Sequence, residues 1–443
     1  MTKRILILGA NRYNVMSIQA ARKTGFFTFA ADWEAQAPGL AQADIGLPID
    51  ITHSDELVAA IAAHGGVDGI VTRSEVGVRP AALMCTQLGL PTVSIEAATN
   101  ATSKAAMRRL WRGLGKWSPE FFVVNSESQA IEAAGSLASF PLVLKPDRSL
   151  GGSRGVSRIE NLEEVPQAFA FARKGGLPGT EVVIEACVQG SEHSAEVLIW
   201  EGQTSVLCIG EKVKSRPPYR VDASVQYPAR LTEAQVAEVA EMCEQAIKAL
   251  GLTQGVAHVE FAWTSNGPVL FELGARCGGG LTPQLASHVS GVNEFVETCR
   301  MACGLPPESF RPMAHLGADY RFIIPPPGQI TEAHLPESVR SHPMVLDAEV
   351  TLRPGDTVLP LQTTSERGGF LAVIGEDRET AARAADWACG QVRLTYSDGH
   401  QRAPCSLAAL ASTGPANSGE FVLSSAEPLE AMPGKECSAL TST

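Results

Sequence analysis

Two apolar-rich runs, at residues 258–263 and 269–274, flank a short polar stretch and constrain the fold more than any other feature of this chain. The stretch contains Asn266 and Gly267, which predicts a β-hairpin with a three-residue loop and with the glycine in the left-handed conformation. Because one face of such a hairpin carries a continuous apolar layer, its register is fixed. The predicted pairs are Val259 with Leu273, Glu260 with Glu272, Phe261 with Phe271, and Trp263 with Val269.

The polar face of this hairpin brings Glu260 and Glu272 together. Directly opposed residues have Cβ atoms about 4.5–5.5 Å apart, so the two carboxylates repel each other unless a cation lies between them. A site with only oxygen ligands favours Mg²⁺ or Mn²⁺. If the second strand continues, Arg276 lies on the same face, and two acids with an arginine indicate chemistry on a metal-bound phosphate. The alternative is a solvated polar face on a surface hairpin.

Size and charge exclude several classes of protein. The 443 residues are enough for roughly two to four domains. The net charge of −12 argues against a general nucleic-acid-binding protein, which needs a basic excess. No run of about 18 apolar residues is present, so no membrane span is expected. The ten cysteines are scattered and we find no secretory signal, which predicts reduced thiols and a cytoplasmic location.

Alternating strand and helix patterns over residues 1–97 predict a Rossmann-like α/β domain with a parallel sheet. The first strand, Lys3–Leu8, is followed by a loop that starts at Gly9 and has one glycine where a dinucleotide-binding domain has three. A Rossmann oxidoreductase is therefore not expected, although Asp32 follows the second strand. The remaining segments mix α/β and α+β patterns, and the last of them is expected to be a disordered tail. Their predicted boundaries are 98–190, 191–311, 312–404 and 405–443.

Two lysines and a glycine-rich loop are candidate anion-binding groups. Lys104 lies in the first turn of a predicted helix, where the helix dipole disfavours a cation, so either an anionic ligand or solvent stabilises it. Lys145 ends an apolar strand and precedes a loop whose N–H groups suit an anion-binding nest, with a flexible hairpin turn as the alternative. The loop residues are Ser149, Gly151, Gly152, Ser153 and Gly155.

Two further acids suggest a nucleoside site. Glu185 lies within the next apolar strand, and Glu192 follows across a short bend. The free backbone of a strand edge, together with an acid, suits adenine and ribose. It is an equally supported alternative that Glu185 and Glu192 are two surface acids without a ligand.

The order of these motifs is more specific than any single one. A helical Lys, a strand-ending Lys, a Gly/Ser loop, an acid-bearing strand and a Glu…Glu-x-x-x-Arg pattern strongly resemble the ATP-grasp superfamily over roughly residues 3–395. The resemblance implies an N-terminal α/β domain followed by a two-lobed ATP-grasp fold, in which antiparallel sheets hold ATP between them.

The same resemblance implies roles for the basic residues. Lys104 and Lys145 contact the ATP phosphates, and the loop from Ser149 to Gly155 closes over them. Arg276 neutralises the transferred phosphoryl group or the acyl-phosphate. Lys145 and Arg276 are therefore the expected catalytic residues.

It also implies roles for the acids and their neighbours. The segment from Glu185 to Val188 meets adenine through its backbone and a side chain, and Glu192 or His193 holds the ribose. Glu260 and Glu272 bind Mg²⁺ or Mn²⁺.

Within the superfamily, the chain is similar to carboxylate–amine ligases, including L-amino acid ligases of the bacilysin-synthetase type. The similar stretches are residues 209–219 with Pro228, and 367–375. The chain departs from these ligases in two places. Gly274 replaces the Asn of the usual Glu-x-Asn-Pro-Arg motif, which removes a metal ligand, and the segment 216–228 lacks a His that is common in those ligases.

The implied reaction is ATP-dependent activation of a carboxylate as an acyl-phosphate, followed by attack of an amine. The expected partners are small-molecule carboxylates and amines, and neither nucleic acid nor a membrane is expected. By resemblance to the family, a homodimer is expected. Two alternatives stay open, namely a carboxylase-like transfer of the activated group and an ATP-binding regulatory subunit with little turnover.

Overall fold

The computed structural model of this chain describes residues 2–137, 139–149, 154–216 and 220–411. Of the predicted site residues, Gly151, Gly152 and Ser153 lie outside these ranges, as does most of the predicted tail, from residue 412 onward.

The N-terminal domain contains a parallel sheet, as predicted. Its four strands follow the order β3-β2-β1-β4. Parallel neighbours need crossover connections, and helices supply most of them here. The elements are β1 (Arg4–Leu8), α1 (Val15–Lys23), β2 (Phe27–Ala31), β3 (Ile45–Leu47), α2 (Ser54–Ala63), β4 (Gly69–Thr72), α3 (Val78–Leu88) and α4 (Ile95–Asn100).

The next segment forms a small lobe with a four-stranded antiparallel sheet in the order β5-β8-β6-β7. Helices α6 and α7 pack on one face of this sheet through buried Ala, Leu, Val, Ile and Phe side chains. The elements are α5 (Lys104–Trp111), β5 (Phe121–Val124), α6 (Glu127–Leu137), β6 (Leu142–Pro146), β7 (Ser157–Ile159), α7 (Val165–Gly175) and β8 (Val182–Ala186).

A larger antiparallel sheet follows, with eight strands in the order β13-β12-β9-β10-β11-β14-β18-β16. Helix α8 packs against β9, β12 and β13, and its N-terminus has a capping box in which Thr232 accepts from the N–H of Gln235. The elements before residue 312 are β9 (Ser191–Trp200), β10 (Gln203–Lys214), β11 (Asp222–Tyr227), α8 (Glu233–Leu250), β12 (Gly255–Thr264), β13 (Gly267–Gly274), α9 (Thr282–Ser290) and α10 (Glu294–Ala302).

The predicted boundary near residue 312 does not separate two sheets, because β14, β18 and β16 extend the large-lobe sheet beyond β11. Strand patterns show where strands lie but not which partners they choose. The remaining strands form a fourth sheet in the order β17-β15-β19-β20. The elements are β14 (Gly317–Phe322), β15 (Gly328–His334), α11 (Glu337–Arg340), β16 (Val345–Val350), β17 (Thr357–Val358), β18 (Gly369–Gly375), α12 (Arg378–Gln391), β19 (Arg393–Tyr396), β20 (Gln401–Arg402) and α13 (Leu407–Ala411).

The prediction of a disordered tail from residue 405 is wrong at its start. The N–H of Cys405 donates to the carbonyl of Ile324 (2.8 Å), and α13 contacts β10 and β11. Arg216 Nη2 also donates to the carbonyl of Ala409 (3.1 Å). The Leu and Ala residues of 407–411 are too short a pattern to indicate a helix by themselves, and packing on the sheet stabilises it.

The hairpin formed by β12 and β13 has the predicted register at its functional end. Glu260 lies opposite Glu272 and Val259 opposite Leu273. Beyond this point a bulge shifts the register by one residue, so the predicted pairs of Phe261 with Phe271 and Trp263 with Val269 are wrong. Phe261 lies opposite Leu270 instead.

The same bulge explains the loop. With one extra residue in β13, a two-residue turn at 265–266 closes the hairpin in place of the predicted three-residue loop. Gly267 has φ +101°, in the left-handed region that the sequence assigns to it. In the described part of the chain, no helix is long and apolar enough to cross a membrane.

Phe261 carries much of the packing between the hairpin and α8. Its side chain has no exposed surface and stacks on the His193 ring, with centroids 5.2 Å apart. We expect Phe261→Ala to lower the free energy of unfolding by about 3–5 kcal/mol, because it leaves a cavity in the core. Urea denaturation measures this change. Phe122, which is 42% exposed on β5, is the matched control, and Phe122→Ala should cost far less.

Candidate functional site

The two acids of the hairpin each contact a lysine from another segment. Lys212 Nζ lies 3.0 Å from Glu260 Oε1, and Lys104 Nζ lies 3.1 Å from Glu272 Oε2. Burial opposes ionisation of both acids, but Lys212 and His258 hold the pKa of Glu260 well below its usual range, and Lys104 lowers that of Glu272. Both acids are therefore ionised at neutral pH.

This pair of carboxylates fits a divalent cation with partial protein ligation. The two oxygen donors are ionised and about a third exposed, so an incoming ligand reaches them. Among the described residues, no cluster of three or more His, Cys, Asp or Glu side chains surrounds a metal position. A cation bound here would need other oxygen ligands, and this is the way in which proteins usually hold Mg²⁺, through one or two carboxylates plus substrate phosphates and water.

The structure explains why a lysine is tolerated in the first turn of α5. Ser103 caps the helix by accepting from the N–H of Ala106 (3.0 Å). Asp147 then accepts from Ser103 Oγ (2.6 Å) and from the N–H of Ala105 (2.9 Å), so a carboxylate lies at the positive end of the helix. Lys104 consequently points its ammonium to Glu272 instead of relying on solvent.

Lys145 and Glu185 form a buried ion-pair network with Arg108. Lys145 Nζ lies 2.7 Å from Glu185 Oε1, and Arg108 Nε lies 2.7 Å from Glu185 Oε2. Arg108 Nη2 also donates to the carbonyl of Phe271 (2.9 Å), which is the residue displaced by the hairpin bulge. The network therefore joins the small lobe to the strand that carries Glu272.

Burial sets the protonation of this network. It lowers the pKa of Lys145 to about 8, although the neighbouring Glu185 partly offsets it. Burial also disfavours the Glu185 carboxylate, but Arg108 and Lys145 outweigh that effect and bring its pKa to about 2. Both Glu185 oxygens are occupied by these cations, so its side chain holds Lys145 in place and is not free for adenine. The adenine contact predicted for the backbone from Glu185 to Val188 stays a prediction.

The two candidates for the ribose lie on opposite faces of the sheet. Glu192 lies on the face of Glu260, where it contacts Lys214 (2.7 Å) and Arg220 (2.9 Å). His193 lies on the core face, 2% exposed, and burial lowers its pKa to about 4. Since neighbouring residues of a strand point to opposite faces, the two cannot share one site, and we remove His193 from the candidate site.

Arg276 is held by an acid from the N-terminal domain. Its Nε lies 3.0 Å from Glu75 Oε2, on the segment that follows β4. Burial and the negative charge of Glu272 raise the pKa of Glu75, while Arg276 partly offsets the shift. A Cβ at Gly274 would lie 3.2 Å from Arg276 Cζ and 3.2 Å from Glu75 Oε2. A side chain at this position would crowd the Arg276–Glu75 pair by a few tenths of an ångström, and glycine avoids this contact.

The glycine-rich loop is described only at its two ends. Ser149 is half-buried at the first end. Gly155, at the other end, has φ +74°, and a Cβ there would lie 3.1 Å from Gly175 Cα and 3.2 Å from Ala172 Cα. The close approach that Gly155 allows is thus to helix α7.

Several polar residues of the site were missed by sequence reasoning. Lys212, Lys214 and Asp222 line the same face of the sheet, where Lys214 Nζ lies 2.8 Å from Asp222 Oδ1. Arg367 joins the C-terminal lobe to this face by donating from Nη2 to the carbonyl of Asp222 (2.7 Å). The alternation of side chains along strands is the sequence signal that could have placed Lys212 and Lys214 on the same face as Glu192 and Glu260.

His258 was also missed, because only oxygen ligands were considered on this hairpin. It lies two residues before Glu260 and therefore on the same face. Its Nδ1 lies 2.5 Å from Glu196 Oε1, and its Nε2 lies 3.3 Å from Glu260 Oε1. Burial disfavours the charged ring, but the two carboxylates outweigh it and raise its pKa to about 9.

Three family models match the chain. The ATP-grasp domain matches residues 138–284, the ATP-grasp N-terminal domain matches 18–92, and the L-amino acid ligase C-terminal domain 2 matches 321–397. The chain therefore carries the two ATP-grasp domains over these residues, and proteins that resemble it are ATP-grasp ligases.

Curated relatives of known name include carnosine synthase 1 from Homo sapiens and D-alanine–D-alanine ligase A from Pseudomonas putida. The first is 26% identical over 51% of this chain and 29% of the relative. The second is 29% identical over 49% of this chain and 60% of the relative, so the aligned part of this chain spans less than two thirds of either protein.

A solved structure extends the likeness of fold over most of the chain. The L-amino acid ligase from Bacillus licheniformis superposes with a TM-score of 0.75, covering 89% of this chain and 99% of that protein at 22% identity. The ATP-grasp fold predicted from the order of the motifs is therefore confirmed.

The buried network generates a prediction about acid stability. We expect Glu185→Gln to lower the free energy of unfolding at pH 7 by about 3–5 kcal/mol, because Lys145 and Arg108 lose their common partner. The native pKa of about 2 lies below the ordinary 4.5, so the stability due to the carboxylate is complete above pH 4.5 and is lost as the pH falls towards 2. Urea denaturation at several pH values should therefore show the variant approaching wild type below pH 4.5.

The control is Glu181→Gln. Glu181 contacts Arg109 on the surface of the small lobe (3.1 Å), and such exposed pairs contribute about 0–1 kcal/mol. A Glu185→Gln difference that stays constant from pH 7 to pH 2 would contradict the assignment of an ionised, paired Glu185.

Proposed function

We propose that this chain is an ATP-dependent ligase that activates a carboxylate as an acyl-phosphate and joins it to an amine, with release of ADP and phosphate. The observation that carries the proposal is the convergence of three parts of the chain: the hairpin that bears Glu260, Glu272 and Arg276, the small lobe through Lys104, and the N-terminal domain through Glu75. Ion pairs connect Glu272 to the small lobe through Lys104, and Arg276 to the N-terminal domain through Glu75.

Glu260 and Glu272 would hold Mg²⁺ or Mn²⁺. The lysines that now contact these carboxylates neutralise their mutual repulsion, and a bound cation would take over this role. When bound, the cation supplies positive charge to the phosphates of ATP. Release of Lys104 from Glu272 would leave its ammonium available for a phosphate oxygen.

The nucleotide is proposed to lie between the small lobe and the large sheet. Lys104 and Lys145 would bind phosphates, and covering them is the role that the sequence predicts for the loop from Ser149 to Gly155. The backbone between Glu185 and Val188 receives adenine. Glu192, fixed by Lys214 and Arg220, accepts from the ribose hydroxyls.

The chemistry needs charge neutralisation and positioning more than a nucleophilic side chain. An oxygen of the substrate carboxylate forms a bond to the γ-phosphorus, while the bond from that phosphorus to the β,γ-bridging oxygen breaks and ADP leaves. The amine nitrogen then attacks the acyl carbon, phosphate leaves with the carbon–oxygen electron pair, and the amine gives up a proton. Arg276, which interacts electrostatically with Glu272 and Glu260, is proposed to stabilise negative charge in both steps.

The names of the relatives support amino acids as the class of substrate. A D-alanine–D-alanine ligase and an L-amino acid ligase both carry amino acids in their names. For this chain we propose that at least one substrate is an amino acid, placed near Arg276 and Glu75, where the N-terminal domain meets the large sheet.

The direct test is phosphate release from ATP with Mg²⁺ by the purified protein, challenged with pools of amino acids and small carboxylic acids. We expect release that depends on both a carboxylate and an amine, together with an amide product seen by mass spectrometry. Release that needs bicarbonate instead of an amine would support a carboxylase-like reaction. Tight ATP binding without release from any pool would contradict the ligase proposal.

We expect Glu272→Gln to reduce turnover by at least about 100-fold, because it removes a charged ligand from the phosphate-transfer site. The free energy of unfolding should change by no more than about 1 kcal/mol, since the side chain is about a third exposed. Steady-state kinetics and urea denaturation measure the two effects. Glu349→Gln, which removes a surface partner of Arg12, is the control, and wild-type turnover in Glu272→Gln would refute the metal assignment.

A further inference from the structure

We propose that Glu196 and His258 act together as a positioning pair that orients the carboxylate of Glu260 and couples it to the glycine segment Gly278–Gly280. Neither residue is proposed to touch a substrate or the cation. The inference rests on the proposed function of Glu260 as a metal ligand.

The first support is the geometry of the sheet. His258 lies directly opposite Glu196 across the β12–β9 pair, and Glu260 follows on the same face. Glu196 is only 1% exposed and lies against His258 Nδ1 (2.5 Å), so the imidazole is fixed from its buried side. Its other nitrogen, Nε2, then faces Glu260 Oε1 at 3.3 Å. Carboxylates that bind metals are commonly oriented by hydrogen bonds from groups that do not contact the metal themselves.

The second support is the other oxygen of Glu196. Its Oε2 accepts from the N–H of Gly278 (3.1 Å), two residues after Arg276. A Cβ at Gly278 would lie 2.8 Å from Glu196 Oε1 and 2.5 Å from Thr282 Cγ2, so this glycine permits the contact. The buried carboxylate therefore bridges strand β12 and the segment that leads into α9.

The far end of the glycine segment is anchored as well. Arg73 of the N-terminal domain donates from Nη2 to the carbonyl of Gly280 (2.6 Å). The segment between Arg276 and α9 is thus held at Gly278 by Glu196 and at Gly280 by Arg73. Removing Glu196 would release both Gly278 and His258. We therefore expect Glu260 and the glycine segment to be positioned less precisely, in addition to any loss of stability.

The test separates metal binding from nucleotide binding and from folding. Calorimetric titrations of the full chain with ADP plus Mn²⁺, and with ADP plus EDTA, give two Kd values for each variant. For Glu196→Gln we expect the Kd for ADP with Mn²⁺ to rise about 10-fold or more, as for other residues behind a metal ligand, and the Kd for metal-free ADP to stay within about 2-fold. His258→Leu should show the same pattern, and the double variant should lose no more than either single one.

Glu297→Gln is the matched control, because Glu297 is also buried, at 6% exposure, and accepts from the N–H groups of Glu308 (2.9 Å) and Ser309 (3.0 Å) away from the site. We expect it to be destabilised without a change in either Kd. His258→Gln is the conservative variant, since its amide is able to donate to one carboxylate, and its Kd for ADP with Mn²⁺ should lie between those of wild type and His258→Leu.

Three outcomes would overturn the proposal. One is an unchanged Kd for ADP with Mn²⁺ in Glu196→Gln, and another is an equal rise in both Kd values, which indicates a structural role only. The third is a nitrogen coupling to bound Mn²⁺ in pulsed EPR that disappears in His258→Leu, because His258 would then be a ligand. If Mn²⁺ does not strengthen ADP binding to the wild-type protein, the proposed metal site at Glu260 and Glu272 is refuted. This outcome contradicts the proposed function and is distinguishable from the three outcomes above.

Discussion

The repulsion between Glu260 and Glu272 is the constraint on which the rest of the site depends. The register of β12 and β13 brings the two acids face to face, and neighbouring cations keep both ionised although burial favours their protonation. The chain balances them with Lys212 from β10 and Lys104 from α5, so two segments distant in sequence converge on one hairpin. The same excess of negative charge that draws in the lysines makes a divalent cation favourable there.

A second set of charged residues lies behind this pair on both sides of the hairpin. On the small-lobe side, Arg108 connects Glu185 to the bulged strand, and Lys145 completes the network. On the opposite side, Glu196 connects His258 to the glycine segment. Buried ion pairs of this kind contribute little net stability when compared with apolar packing, so their presence on both sides of the hairpin is better explained by positioning.

Sequence reasoning was reliable where a pattern is local. The opposed acids, the parallel sheet of the N-terminal domain and the order of the motifs follow from strand periodicity and turn chemistry, and all three agree with the structure. It failed where one extra residue in a strand shifts the pairing with its neighbour. A single bulge at Phe271 shifted the strand pairing by one residue between Glu260 and the turn, and no property of Phe271 predicts a bulge there. The choice of His193 beside Glu192 failed for another reason, because neighbouring residues of one strand point to opposite faces and the alternation was not applied to this pair.

The sequence by itself determined the pair of opposed acids, because their pairing depends on residue spacing within one hairpin. The order of its motifs was enough to identify the ATP-grasp fold by resemblance. Only the tertiary structure decided the partners of each charge. Glu185 meets Arg108 and Lys145, Arg276 meets Glu75, and α13 packs on β10 and β11 at the start of what the composition suggested to be a disordered tail. These contacts join segments from different domains or lobes, and the physical reason they escape sequence reasoning is that a charge does not specify, from its own position, which opposite charge the fold will bring beside it.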